Sequence, residues 1–124
     1  QNKATAFLQQ FKDITSLRIK TTFKLFHATD TGINLNGQTI FKYDLNSNLI
    51  NGMFYSPEDM TSLEISADII IDKTSIEVFI DGGKFSYAIK RNTDSNNQEG
   101  FDIFGDRIQI KDLKVYPMKS IWAK

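Results

Sequence analysis

"ADIIIDKTSIEVFIDGGKFSYAI", Ala67 to Ile89, is the stretch that decides the fold. Apolar residues recur at every second position: Ile69 and Ile71, then Ile76, Val78 and Ile80, then Phe85, Tyr87 and Ile89. A period of two places successive side chains on opposite faces of a pleat, so each run is a half-buried strand. Between the runs lie Asp72 to Ser75 and Asp81-Gly82-Gly83, both rich in turn-forming residues. The stretch therefore reads as three strands of an antiparallel meander. Its acids and hydroxyls, which look at first like chemistry, fall in turns and on the solvent side of a strand.

The same alternation extends outward. In "SLRIKTTFKL", Leu17, Ile19, Phe23 and Leu25 share a face opposite Arg18, Lys20, Thr22 and Lys24. Leu63, Ile65 and Ala67 continue the pattern of Ile69 and Ile71. Near the C-terminus Ile108 and Ile110 share a face, but Leu113 and Val115 resume one residue out of step. One extra residue near Lys111–Asp112 restores the register, so a β-bulge is expected there. Turns are expected at Thr31-Gly32, Asn36-Gly37, Asn51-Gly52, Pro57, Gly82-Gly83, Gly105 and Pro117. Only "ATAFLQQFKDI" has helical spacing, with Ala4, Phe7, Leu8 and Phe11 on one face; a strand and a turn fit that length equally well. The Arg91–Gly100 segment is a polar loop.

Short strands and spaced turns over 124 residues predict one all-β domain, residues 1–124, built as a β-sandwich of two antiparallel sheets. With 40% hydrophobic residues, ten phenylalanines among them, the chain has material for a full core. Fifteen basic residues balance fifteen acidic ones, which gives no support to nucleic-acid binding. The absence of cysteine removes disulfides, thiolate zinc sites and cysteine nucleophiles. No apolar run approaches the roughly 20 residues that span a bilayer, so no membrane partner is expected. The opening "QNKATAFLQQ" reads as a fragment of something longer.

Candidate chemistry is sparse. The one histidine, His27, reads as a surface or edge residue, since a triad needs partners that spacing does not supply. Glu64, Asp68 and Asp72 read as the solvated face of a strand rather than the paired carboxylates of a glycosidase, since fifteen acidic residues make such pairs inevitable by chance. Asn92, Asp94 and Asn96 have the one-three-five spacing of a calcium loop, but Asn97 and Ile103 stand where an EF-hand needs glycine and glutamate. No catalytic residue, metal ligand or cofactor is expected. Among Tyr43, Tyr55, Phe79, Tyr87, Tyr116 and Trp122, Phe79 stands out, because it shares Glu77's face and opposes Ile76, Val78 and Ile80. It is either exposed beside an acid or covered by another layer.

Two segments are more specific than alternation. "DKTSIEVF", Asp72 to Phe79, and "VYPMKSIW", Val115 to Trp122, resemble motifs in the C-terminal β-sandwich domain of glycoside hydrolase family 32. That family includes levanases, inulinases and invertases. Their order and spacing match over about the last half of the chain, with Lys73 standing where the family usually has arginine. The resemblance implies a jelly-roll-like, concanavalin A-like sandwich, related to levan-binding modules. It also implies an accessory role, because the family's catalytic motifs, Asn-Asp-Pro-Asn, Arg-Asp-Pro and Glu-Cys, belong to an N-terminal propeller and do not occur here. The expected function is a non-catalytic module of a fructan- or sucrose-hydrolysing enzyme, stabilising the propeller or a homo-oligomer, with Met118, Ile121 and Trp122 as inter-domain contacts. The alternative is a carbohydrate-binding module for fructans such as levan, with Tyr55, Asp72, Glu77, Phe79 and Arg91 as possible sugar contacts. An extracellular or periplasmic location follows from the resemblance alone.

Overall fold

The computed structural model describes residues 2–26, 30–55, 64–93 and 98–118. Among these residues one helix, α1 (Asn2–Gln9), is followed by ten strands: β1 (Leu17–Leu25), β2 (Asp30–Leu35), β3 (Gln38–Asp44), β4 (Leu49–Ile50), β5 (Met53–Phe54), β6 (Glu64–Ile71), β7 (Ser75–Ile80), β8 (Phe85–Lys90), β9 (Phe101–Gly105) and β10 (Ile108–Pro117). They form two five-stranded sheets, ordered β10-β1-β6-β7-β8 and β5-β4-β3-β2-β9, with every pairing antiparallel. The molecule is the expected β-sandwich, and β6-β7-β8 is the expected meander.

The core is the sum of the inward rows. Ile19, Phe23, Ile65, Ile69, Ile71, Ile76, Val78 and Ile80 from the first sheet are sealed against Ile33, Leu35, Ile40, Phe41, Ile50, Phe101 and Ile103 from the second. Phe23 and Phe41 meet across the layers, their ring centres 5.4 Å apart. Burying each such side chain contributes about 1.5–3 kcal/mol, so the sandwich rests mainly on these rows.

The bulge lies where the slipped alternation puts it. Lys20 pairs with Lys114 and Thr22 with Lys111, so Thr21 faces the extra residue. Asp112 takes a φ of +53° and Thr21, buried, donates its hydroxyl to the Lys111 carbonyl at 3.1 Å. A second irregularity, between Ile33 and Asn34 on β2, leaves Ile40 of β3 over and buries Ile40 and Phe41 consecutively. Asn36-Gly37 and Asn51-Gly52 close two-residue hairpins with positive φ at all four residues, the geometry that matches strand twist.

Thr31-Gly32 is not a turn but part of β2. Gly32 faces Phe104 across the β2–β9 pair, and an added Cβ would strike the Phe41 carbonyl and the Phe104 ring. The glycine serves close packing here rather than a bend. The "ATAFLQQ" segment is helical, and α1 buries Ala4 and Leu8 against the sandwich. Pro57 and Leu63 lie outside the described residues.

Candidate functional site

The outward face of the first sheet holds a hollow of about 660 Å³. Strand register places its side chains in rows. One row runs Tyr116, Arg18, Ile70, Glu77 and Ala88 across β10, β1, β6, β7 and β8. The next runs Lys114, Lys20, Asp68, Phe79 and Ser86. Arg18 and Asp68 occupy adjacent rows on neighbouring strands and meet diagonally. The guanidinium donates from Nε to Oδ1 at 2.8 Å and from Nη2 to Oδ2 at 2.6 Å. Such a two-pronged pair fixes both side chains in plane. The hydrogen bonds and charge of Asp68 raise the Arg18 pKa still further above its ordinary value.

Phe79 and Tyr116 flank this pair. They stand three strands apart, about 14 Å at the usual inter-strand spacing, with Ile70 on the floor between them. Phe79 is half-buried and Tyr116 is exposed. Gly82 and Gly83 form one rim, and neither has an atom within 4 Å of where a Cβ would stand. That rim is fixed by Asp81, which holds φ +50°. Its Oδ1 accepts from the Ser66 amide at 2.9 Å and the Ser66 hydroxyl at 3.3 Å, while its Oδ2 accepts from the Tyr55 hydroxyl at 2.5 Å.

The five possible sugar contacts therefore fall in three places. Phe79 lines the hollow, and Glu77 is exposed one row over, beside Ile70. Tyr55 lies at the Asp81 end, its ring 5.2 Å from that of Phe85. Asp72 and Arg91 sit together at the opposite end of β7, about 20 Å away along a six-residue strand. There Arg91 Nη1 donates to the carbonyls of Thr15 and Asp72, at 2.9 and 3.0 Å. Asp72 Oδ1 accepts from the Ser16 hydroxyl at 2.8 Å. These bonds tie the link between α1 and β1 to the ends of β6 and β8. Burial lowers the Arg91 pKa, and the charge of Asp72 opposes that shift. A second hollow of about 380 Å³ opens beside Arg91, Lys73 and Lys12.

Of the three expected inter-domain contacts, Met118 is half-buried and its amide donates to the Ser16 carbonyl at 2.9 Å. Ile121 and Trp122 lie outside the described residues, as do His27, Glu58, Asp59, Asp94 and Asn96. Among the described residues, no three histidine or acidic side chains converge as metal ligands do, and no helix is long and apolar enough to cross a membrane.

The sequence marks Phe79 and offers Asp68 only as a strand-face carboxylate, with no signal that Arg18, Lys20 and Lys114 belong to a site. Alternation shows that these residues point outward; only strand order and register show that they are neighbours. Ile70 did carry a signal, since "III" at 69–71 breaks strict alternation and puts an apolar residue on the outer face. Together the residues form a concave floor of charged and apolar groups between two rings, suited to holding a ligand or a partner surface.

No family model and no curated protein matches this sequence. Among solved structures, the fold is similar to part of an exo-inulinase from Aspergillus awamori, with a TM-score of 0.60 and 18% identity over 87% of this chain and 26% of that one. A fructofuranosidase from Schwanniomyces occidentalis aligns over 79% of this chain and 28% of that one, at 14% identity and a TM-score of 0.48. The chain thus spans about a quarter of the exo-inulinase's length. At this identity, what is shared with the exo-inulinase is the fold.

Proposed function

We propose that this chain is a non-catalytic module of a fructan- or sucrose-hydrolysing glycoside hydrolase, where it stabilises the catalytic propeller or its oligomer. The supporting observation is a coincidence of motif and place. Asp72 to Phe79, which resemble the family motif, form the β6–β7 turn and β7 at the centre of the meander. They do so in a sandwich whose fold is similar to about a quarter of an exo-inulinase. Apolar surface for docking is present on the edge strand β5, where Met53 is 40% and Phe54 73% exposed. The half-buried Met118, followed in sequence by Ile121 and Trp122, would make a separate contact, because β5 lies on the β8 side of the sandwich and β10 on the other. An extracellular or periplasmic location belongs to the same reading.

The test begins upstream in the gene, where this reading expects the propeller motifs. In the complete protein, deleting residues 1–124 is then expected to lower the melting temperature of the catalytic part. The absence of those motifs, or an unchanged melting temperature, would overturn the proposal.

A second reading, fructan binding, draws on the hollow itself. Sugar sites combine a ring face with charged groups that hydrogen-bond hydroxyls, and Phe79, Tyr116 and the Arg18–Asp68 pair offer both. Calorimetric titration with levan, inulin and fructose tests it. Heat that disappears in Phe79→Ala supports this reading, and no heat with any of the three sinks it.

A further inference from the structure

The Arg18–Asp68 pair and the two rings are enough for a neutral sugar; two lysines in the same hollow are not explained by it. Lys20 and Lys114 are direct cross-strand partners on β1 and β10, both exposed and both lining the hollow. Like charges placed directly opposite each other destabilise a sheet. Neither lysine has a carboxylate partner among the described residues: Asp68, facing Lys20 from β6, is held by Arg18 on both oxygens. Asp112 reaches the same hollow from the bulge, and no ion pair joins it to either lysine. Three cations against Asp68 and Asp112 leave the hollow with one net positive charge. An oxyanion between the two ammonium groups would relieve their repulsion.

We infer that the outer hollow is a binding site for an anionic sugar, a ring bearing a carboxylate or phosphate group. In this arrangement the oxyanion lies between Lys20 and Lys114, and the ring lies over the Arg18–Asp68 floor toward Phe79. The hollow, at about 660 Å³, is of the size that small-molecule sites occupy, roughly 300–1,000 Å³. Lysine suits such a site as a mobile point charge, while the fixed Arg18 fork provides donors in one plane. The inference goes beyond the propeller-stabilising role and does not depend on it, since the site lies within this chain.

The test is calorimetric titration of the 124-residue protein with glucuronate, glucose 6-phosphate, glucose, fructose and acetate. Saturable binding of glucuronate or glucose 6-phosphate is expected, with whichever binds tighter identifying the oxyanion. Glucose and fructose should bind at least about tenfold more weakly, lacking the charge-assisted bonds. Raising salt from about 0.05 to 0.5 M should weaken the anionic sugars and leave neutral ones unchanged, because the lysines are exposed. Lys20→Gln with Lys114→Gln should abolish the preference for the anionic sugar while the melting temperature holds or rises. Equal affinity for glucose and glucuronate, or a preference that survives the double substitution, would overturn the inference. Acetate binding as tightly as glucuronate would also overturn it, reducing the hollow to a bare anion patch. Phe79→Ala separates ring from charge: it should weaken glucuronate without changing acetate.

Discussion

Gly32 and Gly82 show how differently one residue type is used in this chain. Gly32 lies inside β2, under the Phe104 ring and against the Phe41 carbonyl, whereas Gly82 sits in open space at a φ of +74°. Gly32→Ala must displace a ring and a backbone carbonyl, and should cost about 2–3 kcal/mol by overpacking. Gly82→Ala should cost only about 1 kcal/mol, the penalty for a left-handed backbone. Urea denaturation of both variants checks the ranking. The tyrosines set a second expectation. Burial raises the pKa of Tyr87 well above the usual phenol value; burial and, secondarily, the charge of Asp81 raise that of Tyr43. A pKa raised in the folded state favours folding below the unfolded value and loses that contribution as pH rises. Stability should therefore be level below about pH 9.5 and fall above about pH 10, where unfolded tyrosines ionise first. Tyr87→Phe should flatten this alkaline fall, read as the urea midpoint against pH, while weakening the fold at neutral pH through loss of the 2.8 Å bond to the Ile40 carbonyl. Of these residue-scale features, sequence alternation showed only that Tyr87 shares a face with Phe85 and Ile89. It gave no warning that Gly32 is a packing glycine, because Thr-Gly reads as a turn until Phe104 is known to lie opposite.

At the scale of elements, two of the four sheet edges, β9 and β8, are capped by side-chain amides. Gln9 donates to the Glu99 carbonyl at 3.0 Å and accepts from the Phe101 amide at 2.6 Å. Gln38 does the same for β8, donating to the Lys90 carbonyl at 2.9 Å and accepting from the Asn92 amide at 2.8 Å. A carbonyl and the amide two residues on point to the same edge, and they are the two groups that a single residue of a parallel neighbour would satisfy. Each carboxamide thus occupies the place of one strand residue. Thr5 adds a third bond on β9, accepting from the Ile103 amide at 3.1 Å. The spacings agree: Thr5 to Gln9 is about 6 Å along a helix, and Phe101 to Ile103 about 6.6 Å along a strand. Gln38→Ala should cost about 1 kcal/mol and speed hydrogen exchange at the Asn92 amide, with exchange in β6 unchanged. Sequence showed the strands of the first sheet, the hairpins at Asn36-Gly37 and Asn51-Gly52, and the bulge, because each has a local signature. The clamps were invisible, since glutamine on a strand or helix carries no mark of the distant backbone it meets.

For the whole molecule, the outcome depends on where the four sheet edges end. On β10 the edge carries the Asp112 bulge and ends at Pro117, and β5 is only two residues long. Natural sheets are blunted by such features, while β9 depends on α1. Deleting residues 1–10 should uncover the Phe101 and Ile103 amides together with the apolar patch beneath Ala4 and Leu8. The expected result is concentration-dependent association seen by light scattering, with a strand-rich circular dichroism spectrum retained. A truncated protein that stays monomeric would show that β9 needs no cover. The sandwich could be read from composition and period because its two inward faces are continuous apolar rows. The hollow could not, because it is assembled from β10, β1, β6 and β7, which register alone makes neighbours. The carboxamide clamps have a consequence best put in the language of polymer growth. A β-sheet is a chain reaction in which each added strand presents the template for the next. Gln9 and Gln38 act as terminators, each satisfying one repeat unit of the template and presenting no strand beyond it.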